Sequence, residues 1–304
     1  MIKLMSLLLF AVAFNASAVT PLEVQTLAPN VYALVGEMDQ RSDANLANNA
    51  TFGVIVTEMG VVLVDPGGSY RGAQQIDETI KTLTDKPVVL VINSGGQDHR
   101  WLGNGYFKAQ GAKVIAAEAA VADHKTRLQD QMFALQNLLS EESLKGTEAV
   151  YADETFSEKH SLNIGGVQFE LIHVGPAHTP ADTLVWLPQH QIAFAGDVVY
   201  VERMLGVGPM SNSAHWVEAF DMLAALQPKW VVPGHGHAVT LEKAKTETYD
   251  YLIFLRESVA KMIEEDVGMD KVGDIDQSRF NHLKVYEQIK GRNAQQVYTE
   301  MEWE

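Results

Sequence analysis

Val89-Leu-Val-Ile-Asn-Ser-Gly-Gly-Gln-Asp-His-Arg-Trp-Leu-Gly-Asn104 is the stretch on which the reading of the fold turns. Residues 87–92 form a short apolar run bounded by turn signals, which reads as a strand. The run breaks at Gly95-Gly96 and then sets a carboxylate beside an imidazole, at Asp98 and His99. A strand fixes the loop at its end, so a polar pair placed there is held where it can ligate a metal. The same dipeptide also serves as an ordinary solvated turn, so the metal reading depends on the rest of the chain.

Working outward, residues 31–35, 53–57 and 61–64 are β-rich runs separated by turns, a meander that delivers Asp65 ahead of Pro66-Gly67-Gly68. Ile76, Ile80 and Leu83 predict a helix over 72–84, and it leads back into the opening strand. A strand over 113–116 and a helix over 117–140 follow. Strands return over 162–174, 186–188 and 192–195, then a helix over 216–226 and a strand over 230–232. The spacing of Tyr251, Leu252, Leu255, Val259 and Met262 predicts a long helix over 241–265, and a helical tail with breaks near Gly273 and Gly291 completes the chain. Strands alternating with helices in the first half indicate an α/β fold.

Four polar clusters each follow a predicted strand: Asp98-His99, His178-Thr179, Gly196-Asp197 and Gly234-His235-Gly236. Loops at strand ends converge in space although far apart in sequence. The chain has no Cys, so any metal site is built from His, Asp and Glu, ligands that suit zinc, iron or manganese.

These features together resemble the metallo-β-lactamase fold superfamily. The resemblance rests on the strand ending at Asp65, the Asp98-His99 loop with Gly103-Asn104 after it, Gly175-Pro-Ala-His-Thr-Pro-Ala-Asp182, Phe194-Ala-Gly-Asp197 and Val232-Pro-Gly-His-Gly236, and it covers 31–240. It is most similar to a periplasmic hydrolase-like branch. The resemblance implies an αββα sandwich of two mixed sheets with outer helices, to which this chain adds a helical C-terminal extension over 241–304. It also implies a metal cleft at one edge of the sandwich.

The chain departs from the family pattern in one place. The family loop reads His-x-His-x-Asp-His, and its first two histidines, with the one matching His178, hold one metal. Ser94 and Gly96 stand at those two positions. Glycine offers no ligand atom, so the first site keeps His178 alone. For the second site the resemblance implies Asp98, His99, Asp197 and His235 as ligands to one zinc per chain, with iron or manganese as the lesser choices. A zinc in such an open site brings the pKa of water to about 7.

The expected function is therefore metal-dependent hydrolysis of an ester, thioester, lactone or lactam, with Asp98 and His178 as catalytic groups. His178, freed from ligation, is read as a substrate contact or a general acid or base. Asp65, Ser94, Gln97 and Arg100 are the supporting or substrate-contact candidates. Trp101, Tyr200, Met204 and Trp216 are read as cleft or core, Glu202-Arg203 as an ion pair or exposed, and His237 as a surface residue. The competing expectation is a non-catalytic metal- or ligand-binding protein that retains the fold. A mononuclear iron oxygenase fits less well, because that branch uses the two missing histidines.

Lys3, the apolar run 4–14 and Ala16-Ser17-Ala18 read as a cleavable signal peptide over 1–18, which leads to a periplasmic or secreted domain over 19–240. A net charge of -16 argues against nucleic acid or an anionic membrane surface as partner and leaves a small-molecule substrate. The sequence carries no signal for oligomeric state.

Overall fold

A computed structural model describes residues 20–304, and the leader expected over 1–18 lies outside them. In chain order the elements are β1 (Glu23–Ala28), β2 (Val31–Val35), β3 (Thr51–Val56), β4 (Val61–Val64), α1 (Tyr70–Ile80), β5 (Val88–Asn93), α2 (Asn104–Ala109), β6 (Lys113–Ala117), α3 (Glu118–Leu138), α4 (Glu141–Leu144) and β7 (Glu154–Phe156). Then come β8 (Lys159–Ile164), β9 (Val167–His173), β10 (Thr183–Leu187), β11 (Ile192–Tyr200), α5 (Ser213–Ala225), β12 (Trp230–His235), α6 (Leu241–Ala244), α7 (Asp250–Glu264) and α8 (Tyr286–Met301).

Strands β1 to β7 form one sheet in sequence order, antiparallel through β4 and parallel from β4 onward. The second sheet runs β12-β11-β10-β9-β8, with only the β11–β12 pair parallel. The inner faces meet through Ile55, Val64, Ile92, Phe169, Val185 and Phe194, all buried. The outer face of the first sheet packs Val54, Leu63 and Val91 against Ile76 and Ile80 of α1 and Phe107 of α2. On the outer face of the second sheet, Val199 and Val231 share a cluster with Trp216 of α5, Leu255 of α7 and Val297 of α8. This is the expected αββα sandwich. Strands buried on both faces explain why β4, β5 and β11 read as nearly continuous apolar runs.

Three local departures have physical causes. The edge strands β1 and β7 escape the sequence reading because β1 is at most half-buried along its length and β7 has three residues, so neither has a clear pattern. The helix expected over 241–265 contains a five-residue π-turn at Lys245–Tyr249, which turns Glu247 and Thr248 inward. There Thr248 accepts from the Tyr200 N–H at 3.0 Å and donates to the Tyr200 carbonyl at 2.6 Å, pinning the end of β11. Gly291 does not break the tail helix: α8 runs through it, because burial of Ile289, Ala294 and Val297 outweighs a glycine cost of ~1 kcal/mol.

Candidate metal centre

Most candidate side chains sit where a strand ends; Asp197 does not, because β11 runs on past the expected end at 195 to Tyr200. Asp65 follows β4 with a left-handed backbone at φ 65°, Asp98 to Arg100 form one 3-10 turn after β5, Asp197 lies in β11, and His235 closes β12. The β11–β12 register sets Tyr200 opposite His235, and their rings stack at 4.5 Å.

His99, Asp197 and His235 converge. Their ligand atoms lie within 4.8 Å of one another, and all three residues are buried. His99 Nε2 is 3.2 Å from Asp197 Oδ2, and His235 Nε2 is 3.3 Å from Asp197 Oδ1. The second contact is informative because the tautomer is fixed from the other side of the ring. His235 Nδ1 is 2.6 Å from the Asn49 carbonyl, an acceptor only, so Nδ1 carries the proton. Burial pushes the His235 pKa well below its ordinary value, so the ring stays neutral. A lone pair on Nε2 then faces a carboxylate oxygen, two acceptors aimed at one point. A cation between them resolves that opposition, and the donor set suits a divalent metal.

His178 stands at the edge of this cluster. Its Nδ1 is buried without a hydrogen-bond partner among the described residues, 3.7 Å from Asp197 Oδ2. Its Nε2 is 3.3 Å from the Tyr200 hydroxyl, and its ring meets Trp216 edge-on at 5.2 Å. Burial depresses the His178 pKa to about 4, so the imidazole is neutral near pH 7.

Asp98, expected among the ligands, is placed elsewhere. Its carboxylate pairs with Arg41, a residue the sequence reading passed over, and Oδ1 also accepts from the His99 backbone N–H at 2.8 Å. Burial alone would raise the Asp98 pKa, but the Arg41 charge holds it well below the usual carboxylate range. The same Arg41 nitrogen donates to His99 Nδ1 at 2.8 Å, which puts the imidazole proton on Nε2 and makes the 3.2 Å contact a hydrogen bond to Asp197, one that His99 gives up if it ligates a metal. Asp98 therefore fixes the orientation of His99 from behind and stands apart from the cluster of three.

Arg100 is fully buried, neither solvated nor in reach of a substrate. All five of its N–H groups are satisfied. Nε and Nη2 donate to the two Asp197 oxygens at 3.1 and 2.7 Å, Nη1 to Asp65 at 2.9 Å and the Thr51 carbonyl at 3.1 Å, and Nη2 also to the Gly234 carbonyl at 2.9 Å. Burial opposes ionisation of Asp197, yet Arg100 overrides it and keeps that carboxyl well below its ordinary pKa. Gly234 is required here, since a Cβ on it would lie 2.6 Å from both Asp197 Oδ1 and Arg100 Nη2.

Ser94 is turned away from the cleft. Its N–H and hydroxyl both donate to Asp65 at 2.7 Å, which excludes it as a free nucleophile and makes Asp65 the anchor of the loop. At Gly96 a Cβ would lie 1.8 Å from Asp123 Oδ2, so the Asp123–Arg127 ion pair of α3 fills the space a side chain there would take. Gln97 lines the cleft, its Oε1 3.5 Å from Arg127.

Of the remaining candidates, Tyr200 lines the cleft, while Trp101 is buried and stacked between His124 and Tyr151. Met204 and Trp216 belong to the core. Glu202 does not pair with Arg203 but with His237, at 2.7 Å. Arg41, Arg203 and Arg292 line the cleft, and of these only Arg203 drew comment from the sequence. Nothing in the local pattern around Arg41 or Arg292 marks them, because they reach the cleft through tertiary packing.

Residues 47–235 match the sequence profile of the metallo-beta-lactamase superfamily. A metallo-beta-lactamase type 2 from Elizabethkingia meningoseptica is 24% identical over 218 residues, 70% of this chain and 78% of that protein. Among solved structures, a metallo-beta-lactamase from Pontibacter korlensis superposes with a TM-score of 0.60 at 22% identity, covering 76% of this chain and 99% of that one. A stereoselective inverting sec-alkylsulfatase from Pseudomonas sp. superposes with a TM-score of 0.70 at 15% identity, covering 91% of this chain and half of that longer one. At those identities the two structures speak for the fold.

Proposed function

This chain belongs to the metallo-β-lactamase superfamily, a superfamily of metallohydrolases, and on that premise we propose that it hydrolyses a small molecule with one zinc ion held by His99, Asp197 and His235. The observation that carries the proposal is the opposition of the His235 Nε2 lone pair and the Asp197 carboxylate, both buried and both acceptors. A divalent metal at that point supplies Lewis acidity and makes water a stronger acid near neutral pH.

The chain's own groups do the rest. Arg100 clamps Asp197, and Arg41 with Asp98 sets the plane of His99. His178, neutral at pH 7, offers Nδ1 to a proton or to the substrate. Tyr200, its phenol pKa driven well above 10 by burial, keeps its proton and stacks on His235. The substrate class is an ester, thioester, lactone or lactam. The small-residue motif at Ala16-Ser17-Ala18 supports export to the periplasm or beyond.

One observation favours a second reading, a binding protein without turnover: Asp98 and Asp197 already have guanidinium partners. Metal content separates the two. Elemental analysis of the purified protein should give one zinc per chain, lost in Asp197→Ala and in His235→Ala. Retention in Asp98→Ala is expected from its pairing with Arg41. A protein that takes up no metal on reconstitution would overturn the hydrolase reading and leave the binding protein.

A further inference from the structure

The cluster opens into a cleft of ≈ 280 Å³, and one wall of it is the chain that leaves β11, with Tyr200, Gly206 and Gly208 in the lining. At the two glycines no side chain faces a bound molecule. The backbone is itself the surface there, so whatever fixes the backbone fixes the shape of the cleft.

This stretch of backbone outruns its sheet. The Val201 N–H still reaches the His235 carbonyl of β12 at 3.0 Å. From Glu202 to Val207, however, every backbone hydrogen bond among the described residues is made to the extension over 241–304. Thr248 already holds the N–H and the carbonyl of Tyr200, and Glu247 beside it accepts from the Glu202 N–H at 2.6 Å. Lys284 then runs parallel to the wall for one residue. Its N–H donates to the Glu202 carbonyl at 2.8 Å, and its carbonyl accepts from the Met204 N–H at 3.0 Å. Asn293 of α8 takes the last step: Oδ1 accepts from the Val207 N–H at 2.9 Å, and Nδ2 donates to the Leu205 carbonyl at 2.8 Å. One side-chain amide thus offers the pair of bonds that the peptide of a neighbouring strand would offer, on either side of Gly206.

The extension departs from regular geometry to do this. The π-turn is what turns Glu247 and Thr248 inward, and such turns are frequent at functional sites. Val285, immediately after the Lys284 bridge, has φ 56°, a left-handed conformation that a β-branched residue keeps only where its surroundings impose it. The Asn293 amide is also oriented from behind. The Tyr251 hydroxyl donates to Gln277 at 2.9 Å and accepts from Asn293 Nδ2 at 3.0 Å, which leaves Oδ1 for Val207. Glu247, Thr248 and Asn293 are all buried, so water does not compete for these bonds.

We propose that 241–304 is the template of the cleft wall, and that Thr248 and Asn293 are positioning residues that set substrate fit from behind it. Thr248 acts through Tyr200, whose hydroxyl meets His178 and whose ring stacks on His235. Asn293 acts through the backbone around Gly206. As an account of substrate fit this rests on the hydrolase reading, whereas the hold on the backbone stands without it.

The test pairs residue-resolved amide exchange with turnover of two chromogenic probes, p-nitrophenyl acetate and a cephalosporin, on the zinc-loaded protein. Asn293→Leu keeps the volume and removes both bonds to the wall. Its Val207 amide should exchange roughly tenfold faster while the amides of β3 keep their rates. For a probe that is turned over, KM should rise several-fold with kcat and zinc content unchanged. Thr248→Val should release the Tyr200 amide and lower kcat/KM, and Thr248→Ser, which restores the hydroxyl, should return both to the parent values. If Asn293→Leu does not fold, the Thr248 pair decides. Wall amides that keep their rates, faster exchange spread over the whole protein, no rescue by serine, or a fall in kcat at constant KM in Asn293→Leu would each overturn the proposal. A parent that hydrolyses neither probe would overturn the role in substrate fit together with the hydrolase reading, and exchange alone would then decide the hold on the wall.

Discussion

The two ends of the 94–100 loop, a few residues apart, have been built in opposite ways. At its far end His99 joins Asp197 and His235 in a buried cluster that has donors to spare for a cation. At its near end Ser94 is spent on Asp65, and the space beside Gly96 is closed by the Asp123–Arg127 pair. Four carboxylates near the centre are paired with arginines: Asp98 has Arg41, Asp197 and Asp65 share Arg100, and Asp123 has Arg127. The lesson is that charge balance is settled locally. At the near end side chains from the protein itself occupy the volume and supply the positive charge, and only at the far end, where acceptors oppose each other, is a cation needed.

The largest effect should come from removing the charge that the two sheets share. Arg100→Met keeps the volume but leaves Asp65 and Asp197 buried beside each other without their guanidinium. Breaking a buried pair costs ~3–5 kcal/mol, here measured by urea unfolding. Arg100→Lys should recover little of it, because one ammonium cannot satisfy two carboxylates and two carbonyls at once. A loss below ~1 kcal/mol in the methionine variant would mean that Asp197 is balanced from the cluster side instead.

Next in size is an attempt to refill the near end. Gly96→His drives its side chain into Asp123 and Arg127, and overpacking of this kind costs ~1–3 kcal/mol. The clash is with the ends of flexible side chains, so in an Asp123→Ala/Arg127→Ala background the same substitution should cost much less, a coupling read by a double-mutant cycle. Equal cost in both backgrounds would show that the backbone, and not the ion pair, closes this end.

Much of this arrangement was legible in the sequence. The sandwich follows from apolar runs at β4, β5 and β11 and from strand-end polar clusters, because burial on both faces writes itself into every residue of a strand. Asp197 and His235 were legible because glycine-flanked polar residues near strand ends have few other uses, and His99 and His178 because each lies in a polar cluster after a strand. What the sequence hid are the arginines gathered near the cleft. Arg41, Arg127, Arg203 and Arg292 lie on a loop, a long helix, a strand exit and the terminal helix, where an arginine is by default a solvated charge. Only the packing of those elements brings them around one cleft. Asp98 was read as a ligand for the same reason, since its partner lies 57 residues upstream.

The smallest of these effects concerns what holds the near end from beneath. His124 of α3 is buried, stacked on Trp101 at 4.4 Å, and its Nε2 meets the Gly95 carbonyl at 2.9 Å, while Nδ1 has no partner among the described residues. Burial is the main cause that lowers its pKa to about 4, opposed by the Gly95 bond and assisted by Arg127. In the unfolded chain a histidine takes up a proton near pH 6.5, so between that pH and about 4 the unfolded state binds the proton and the folded state does not. Stability is thus full above pH 6.5 and falls as pH drops toward 4, by about 2 kcal/mol at pH 5. His124→Phe keeps the stacking and gives up the bond to Gly95, which costs ~1 kcal/mol at pH 7.5. Because phenylalanine does not titrate, the variant should close that deficit and overtake the parent by pH 5 in urea unfolding. A deficit that stays constant between the two pH values would show that folding leaves the His124 pKa where the unfolded chain has it, and a deficit that grows would show that the fold holds His124 as a cation.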